Sequence, residues 1–239
     1  MNMLRKMGLM AVVAAGFAGV AQAANVDSVA VGNVFSNTNS AGTTSYTSPS
    51  LIVQNSTRAN YMIFSVADLA NALGGQQAGS ATLTFNAPGS ISSGADYLLW
   101  SFEGSGSSLL ANTAPYNAGT TNYIDGATGA AFLADLSSGL SFGSTTLTSA
   151  AFNTPFSINL NSNAVGAINS AIGAAAQFFV IGGSTTGSAY QFTSSSGGVG
   201  APLPGATLKV SAVPLPAGLW LLGSGLAGLG TLRRRKRES

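Results

Sequence analysis

Alternating hydrophobic and polar positions dominate the middle of the chain and predict β-strands. Leu83 lies between two threonines, and Lys209 lies between Leu208 and Val210. Such period-two patterns put one face of a strand in a core and the other in water. Short runs of β-branched and aromatic residues, bounded by turn formers, extend the prediction to further strands. The candidate strands are residues 26–35, 48–54, 58–66, 80–88, 95–104, 155–161, 176–183 and 205–212.

Two segments have a helical pattern, because their apolar residues recur three or four positions apart. They are residues 66–75 and 161–173. Asp68 could cap the first, and Asn161 or Asn163 the second. Several short strands with one or two short helices predict an all-β domain. We expect a two-sheet β-sandwich of jelly-roll type, with a closed barrel as the alternative.

The start of the chain predicts export. Two basic residues precede an apolar run at residues 8–20, and the small residues Ala21 and Ala23 follow it. This is the layout of a signal peptide that is cleaved before Ala24. The run is short for a membrane span of about 20 residues, which favours a signal peptide over a first transmembrane helix. We therefore assign residues 1–23 to a signal peptide and residues 24–212 to the body of the protein.

The end of the chain predicts a membrane helix. Residues 213–232 carry no charge, and about 20 such residues cross the hydrocarbon core of a bilayer. The five residues that follow form a basic stop, which stays on the cytoplasmic side, so the body faces outward. That basic stop consists of Arg233, Arg234, Arg235, Lys236 and Arg237. A plain C-terminal anchor is one interpretation. The other is a removable sorting signal, which consists of a short motif, an apolar run and a basic stop in that order.

A proline motif begins this tail, at Val213, Pro214, Leu215, Pro216 and Ala217. Motif, apolar run and basic stop together resemble the PEP-CTERM sorting tail of Gram-negative bacteria, in its VPLPA variant. The commonest form of that tail has Glu at the position of Leu215. The resemblance covers about the last tenth of the chain. It implies that an exosortase-type membrane protease recognises residues 213–239 and releases the body to the cell surface, an exopolysaccharide matrix or a biofilm.

A second resemblance lies in the body and covers about thirty residues. It is to a sequence pattern of β-sandwich domains found on bacterial surface proteins. The pattern contains no catalytic motif, so it bears on the fold and not on an activity. The matching residues are Arg58, Phe64, Leu69, Ser80, Ala81 and Leu83.

Charge in the body differs from charge in the whole chain. Only Arg58 and Lys209 are basic among residues 24–212, against six acidic residues, so the body has a net charge of −4. The isoelectric point near 9.1 therefore comes from the flanking segments. Nucleic acid is not an expected partner, because no basic face remains to neutralise phosphates. The chain has no cysteine, and its stability must come from packing and hydrogen bonds.

Few residues of the body could support catalysis. The chain lacks histidine and cysteine, which excludes His-based triads and ordinary zinc, copper and haem sites. A carboxylate pair for glycoside hydrolysis would use Glu103 with Asp125 or Asp135, but both aspartates lie beside turn formers. Asn122 and Asp125 share one loop, so structural calcium stays open, although the dense ligand spacing of a calcium loop is missing. We expect no enzyme activity and no cofactor.

Exposed aromatic rings could bind a sugar by stacking. Tyr116 and Tyr123 lie in a polar, turn-rich stretch and are the predicted sugar contacts. In the strand at 95–104, alternation predicts that at least one aromatic side chain packs inside. The favoured function is therefore an exported, non-enzymatic surface or matrix protein associated with exopolysaccharide. A carbohydrate-binding module is the alternative, and a glycosidase is a third hypothesis.

Overall fold

β-Strands form most of the structure, a computed structural model. It describes residues 23–39, 42–48, 51–54, 57–85, 95–113, 122–146, 155–187, 190–191 and 205–213. Residues 1–22 of the predicted signal peptide and residues 214–239 of the predicted tail lie outside these ranges, and so does Tyr116.

The strands and helices follow one another along the body in a mixed order. The strands are β1 (Ala23–Asp27), β2 (Ala30–Asn39), β3 (Gly42–Ser48), β4 (Ile52–Val53), β5 (Arg58–Ser65), β6 (Ala78–Phe85), β7 (Asp96–Ser101), β8 (Asn122–Ile124), β9 (Ser141–Thr146), β10 (Phe156–Asn159), β11 (Phe178–Thr185), β12 (Tyr190–Gln191) and β13 (Ala206–Ala212). The helices are α1 (Val66–Ala72), α2 (Gly106–Ala111), α3 (Gly126–Leu136) and α4 (Ser162–Gly173).

Two antiparallel sheets organise these strands. A four-stranded sheet has the order β1-β13-β6-β10, and a seven-stranded sheet has the order β8-β3-β2-β5-β11-β7-β9. A short ribbon pairs β12 with β4. The described residues are thus mostly β, in two antiparallel sheets, which agrees with the coarse prediction and is consistent with a β-sandwich.

The main core lies between the two sheets. Leu83 and Leu208 come from the four-stranded sheet and Phe64 and Leu99 from the seven-stranded one, and all four are fully buried in one cluster. The predicted alternation is confirmed here, because Lys209 is exposed between two buried neighbours on β13. The alternation of apolar and polar residues therefore determines which face of the four-stranded sheet is buried.

A second core lies on the opposite face of the seven-stranded sheet. Ile63 of β5 and Val180 of β11 pack there against Leu109 of α2 and against Phe132 and Leu136 of α3. Helices α2 and α3 thus cover this face, so β5 and β11 are buried on both faces. This explains why their sequences are nearly continuous apolar runs instead of alternating ones.

The prediction of one or two short helices was too low, since the described residues contain four. Helices α1 and α4 match the two predicted segments, whereas α2 and α3 were not predicted. Both helices begin at a glycine, Gly106 in α2 and Gly126 in α3, and glycine is a turn former in the sequence. Packing against the seven-stranded sheet stabilises these helices more than their intrinsic propensity does.

The predicted caps were right for one helix and wrong for the other. Asn161 caps α4, because its side chain accepts hydrogen bonds from the backbone amides of Asn163 and Ala164. Ser65 and not Asp68 caps α1: the amide of Asp68 donates to Ser65 Oγ. Asp68 lies in the first turn instead, where its negative charge interacts favourably with the positive end of the helix dipole.

Strand boundaries also needed correction. The single strand predicted at 26–35 is two strands, β1 and β2, which belong to different sheets and are separated at Ser28 and Val29. The prediction at 48–54 covers only the end of β3 and the short β4. Strand β3 itself and β9 were not predicted, since Ser, Thr and Gly dominate them and make a weak hydrophobic pattern.

Candidate functional site

Three aromatic side chains and one arginine form a row across the seven-stranded sheet. Tyr123 on β8 is directly opposite Tyr46 on β3, and Tyr46 is directly opposite Phe35 on β2. Phe35 in turn is directly opposite Arg58 on β5. Side chains at directly opposite positions project from the same face of a sheet and contact one another. We call these four residues the aromatic row.

Ring contacts hold the aromatic row together. Phe35 and Tyr46 are stacked, with centroids 5.3 Å apart and planes 23° apart. Tyr123 meets Tyr46 edge-on, with centroids 6.0 Å apart and an interplanar angle of 79°. These are the two favoured geometries of aromatic pairs. The row is therefore a preorganised apolar platform.

Arg58 ends the row with a cation over a ring. Its Cζ lies 4.4 Å from the centroid of Phe35, which is cation–π distance. Partial burial lowers the pKa of the Arg58 guanidinium, although an arginine remains protonated at neutral pH.

Exposure increases along the row towards the sheet edge. Arg58, Phe35 and Tyr46 are half-buried, whereas Tyr123 on the edge strand β8 is 66 % exposed. Tyr123 is thus accessible as expected, although it lies in a short strand and not in a loop. The sequence identified this tyrosine but not its three neighbours in the row.

Other aromatic side chains of the body serve packing. Tyr97 is fully buried and donates from its hydroxyl to Asn60 Oδ1 at 2.8 Å. This confirms the expectation that an aromatic residue of this strand packs inside. Half-buried Trp100 donates from Nε1 to Ser184 Oγ, and Phe102 packs against Phe132 of α3. These side chains are therefore poor candidates for ligand contacts.

Glu103 lies beside a cleft of about 250 Å³. That volume is slightly below the range of about 300–1,000 Å³ that is usual for small-molecule sites. The cleft lies between the loop after β7, the start of β11 and one side of α4. Aromatic side chains account for much of its lining, with Phe102, Phe142, Phe178 and Phe179 beside Glu103.

The carboxylate of Asp135 lies close to Glu103, but it is hydrogen-bonded to the backbone of that residue and not to its side chain. The carboxylate of Asp135 accepts from the amide of Glu103 at 3.0 and 3.1 Å and from the amide of Gly104 at 2.7 Å. Asp125 caps the other end of α3, where it accepts from the amide and hydroxyl of Thr128. Ten residues of helix separate the two aspartates by about 15 Å. Of the two predicted partners, the structure therefore brings only Asp135 to Glu103.

Replacing Asp135 by alanine is expected to destabilise the body by about 1–2 kcal/mol, because two amides lose a charged acceptor at a partly exposed site. Urea unfolding should show a lower midpoint with an unchanged slope. Asp135→Asn retains one acceptor oxygen and should lose less. An Asp135→Ala midpoint equal to that of the unaltered protein would contradict a role for these hydrogen bonds in stability.

The two residues considered as calcium ligands have other contacts. Asn122 donates from Nδ2 to the carbonyl of Thr113 at 3.2 Å, and Asp125 caps α3. Within the described segments, no group of three or more acidic, histidine or cysteine side chains could hold a metal ion. The contacts of both residues are explained by the local fold.

The outer face of the four-stranded sheet is a polar lattice. One row across its strands consists of Asn25, Lys209, Thr82 and Asn159, and the next consists of Asp27, Thr207, Thr84 and Ser157. Hydrogen bonds link neighbours within the rows: Thr82 Oγ1 donates to Asn159 Oδ1 at 3.0 Å, and Thr207 Oγ1 donates to Asp27 Oδ1 at 2.9 Å. This lattice, which we call the polar face, presents hydroxyl, amide and carboxylate groups to solvent.

Comparison with known proteins does not assign a family. No protein-family model matches the chain, and no curated protein has a significantly similar sequence. Among the helices of the described residues, none is both long enough and apolar enough to cross a membrane. Apart from Val213, the predicted membrane helix at 213–232 falls outside those residues.

Proposed function

We propose that this chain is an exported, non-enzymatic surface or matrix protein of a Gram-negative bacterium. An exosortase-type membrane protease processes it, and it then associates with exopolysaccharide in a matrix or biofilm. The observation that carries the proposal is the tail, in which a VPLPA motif, an uncharged run and a basic stop follow one another without interruption at residues 213–239. Residues 213–232 cross the inner membrane until the tail is removed.

The arrangement of the body is compatible with removal of both flanking segments. All the described helices and strands lie between Ala23 and Ala212. The first and last strands are paired, with Ala23 opposite Ser211 and Ala24 opposite Val210. Cleavage before Ala24 and after the last strand would therefore remove one residue of β1 and no other part of the described sheets.

The finer architecture belongs to the same proposal. We infer that the two sheets form a β-sandwich, since one core cluster is shared by both sheets, and we propose the jelly-roll type from the many short strands of one exported domain. The polar face of the four-stranded sheet then faces outward. Its hydroxyl and amide groups suit a hydrated surface.

We also propose that the protein is not an enzyme, and the hydrogen bonds of Asp135 support this. Its carboxylate is bonded to the amides of Glu103 and Gly104, which favours a structural role over that of a catalytic partner. A glycosidase that uses Glu103 stays the third hypothesis. Loss of hydrolysis on Glu103→Gln, in a protein with demonstrated glycosidase activity, would support it.

Alanine replacement of Pro214 and Pro216 tests the sorting proposal. We expect the variant to remain in the membrane fraction, whereas the unaltered protein is released. The chain offers a matched control, because Pro202-Leu203-Pro204 repeats the same Pro-Leu-Pro triplet before the last strand. Pro202→Ala with Pro204→Ala should leave release unchanged. Equal release of both variants would contradict recognition of the 213–217 motif.

Carbohydrate binding by the aromatic row is the second proposed function. Exposed Tyr123, held edge-on against Tyr46, supports stacking against a sugar ring, because tyrosine offers an apolar face and a polar end. Tyr116 stays a proposed contact on sequence grounds, since it lies outside the described residues. Binding of this kind would retain the released body within a matrix.

A further inference from the structure

The aromatic row combines apolar rings with an unneutralised cation. Arg58 has no carboxylate partner among the described residues, which include all six acidic side chains of the body. It is also one of only two basic residues in a body of net charge −4. A cation in this position is available to an anionic ligand that lies on the row.

Charge complementarity and geometry favour one ligand class. Four directly opposite residues on adjacent strands span about 14 Å, at about 4.8 Å per strand, which suits a short stretch of a linear polymer. The exposed ring of Tyr123 and the half-buried ring of Tyr46 provide apolar contact, and Phe35 supports Tyr46 and Arg58 from between them. A guanidinium matches the two oxygens of a carboxylate. A neutral polysaccharide would offer Arg58 hydroxyl oxygens as acceptors but no opposite charge.

We propose that the aromatic row binds an acidic polysaccharide, with pyranose rings against Tyr123 and Tyr46 and a uronate carboxylate against Arg58. This inference rests on the proposed carbohydrate-binding function and names the class of sugar. The row is open at the edge strand β8, where Tyr123 is exposed. A polymer can therefore reach the row from the sheet edge without its chain end having to enter a pocket.

Affinity electrophoresis of the full-length chain in detergent tests this inference. The probes are polygalacturonate, alginate and hyaluronate, each paired with its carboxyl-reduced form, in which the uronates have become neutral sugars. We expect the unaltered protein to bind at least one acidic polymer about tenfold more tightly than its reduced form, a factor that corresponds to one guanidinium–carboxylate contact. Rising salt concentration should weaken acidic binding, because it screens charge.

Variants at two basic positions separate a local contact from a general charge effect. Arg58→Gln should remove the preference for the acidic form, and Arg58→Lys should restore only part of it, because the ammonium lacks the planar pair of donors. Lys209→Gln removes the other basic residue of the body, which lies on the polar face, and should leave the preference intact. Equal losses in Arg58→Gln and Lys209→Gln would overturn the assignment to Arg58.

Tyr123→Ala separates the inference from the function on which it rests. If it weakens binding of both acidic and reduced polymers, the row binds carbohydrate. If the unaltered protein then binds both forms equally, the inference fails while the proposed function stands. No binding to any probe, or binding that is unaffected by Tyr123→Ala, would overturn both. The salt dependence of the unaltered protein gives an independent result if the Arg58 variants fail to fold.

Discussion

Replacing Gly182 by alanine is expected to destabilise the body by about 3 kcal/mol, at the upper end of the usual cost of overpacking. Gly182 lies in β11, near the middle of the seven-stranded sheet. A Cβ at this position would lie 2.5 Å from the carbonyl oxygen of Leu136 and 2.8 Å from its Cα. These are backbone atoms at the end of α3, so the clash cannot be relieved by rotating a side chain.

Relief of this clash requires movement of α3 itself. Phe132 and Leu136 of that helix pack in the second core with Ile63 and Val180. A shift of the helix away from β11 would open this core, and close-packed interiors respond poorly to such changes. The loss of stability should therefore appear as a lower urea midpoint for unfolding.

Gly166→Ala provides the matched control. Gly166 lies in α4, and a Cβ there would meet no atom within 4 Å. Alanine in a helix interior is favoured over glycine by up to about 1 kcal/mol, so this variant should be as stable as the unaltered protein or more stable. Equal midpoints for Gly182→Ala and Gly166→Ala would contradict the close approach of α3 to the sheet.

Alkaline pH is expected to unfold the body, with a loss of about 2.7 kcal/mol per pH unit once two buried tyrosines ionise in the unfolded chain. Tyr61 and Tyr97 are fully buried. Burial raises the pKa of both hydroxyls well above the ordinary tyrosine value. Their hydroxyls donate hydrogen bonds to Thr113 Oγ1 at 2.9 Å and to Asn60 Oδ1 at 2.8 Å.

The raised pKa values fix the direction of this pH dependence. The folded body keeps both tyrosines neutral where the unfolded chain has lost their protons, so the unfolded chain binds fewer protons. The stabilisation is therefore complete below about pH 10, the ordinary tyrosine pKa, and is lost as pH rises above it. Lowering the pH should not reduce the free energy of unfolding through these tyrosines, because they stay protonated in both states.

Urea unfolding between pH 8 and pH 11.5 measures the effect. Tyr61→Phe and Tyr97→Phe should each reduce the slope above pH 10 by about half, because each removes one titrating group. Each should also cost about 1 kcal/mol at pH 8 for the lost hydrogen bond. A free energy of unfolding that stays constant up to pH 11.5 would contradict the burial of these hydroxyls.

The parts of the fold that the sequence predicted are those in which a local pattern determines the structure. Residues 205–212 alternate cleanly and form β13, and Asn161 precedes an apolar helical pattern and caps α4. Helix α3 was missed because its stability depends on the sheet below it. Gly182 shows the same dependence: in the sequence it ends a strand, but in the structure it makes room for the end of α3.

The candidate site was less predictable, because strand pairing creates it. Tyr123 was identified from its polar surroundings, which indicate exposure. Phe35, Tyr46 and Arg58 are distant from it in sequence and become its neighbours through three antiparallel pairings. The register of those pairings cannot be predicted from a local sequence pattern. The role of Asp135 required the structure for the same reason, since it is bonded to a loop 31 and 32 residues earlier in the chain.

Intact-mass analysis of the protein from cells and from the surrounding matrix would show whether the tail is removed and the body released. We predict a matrix form that begins at Ala24 and ends near Val213–Pro216, with or without added sugar mass. The membrane-bound form should still carry residues 217–239. A protein that is found only in the membrane and still ends in Arg237, Glu238 and Ser239 would contradict removal of the tail, and would indicate a permanently anchored surface domain instead.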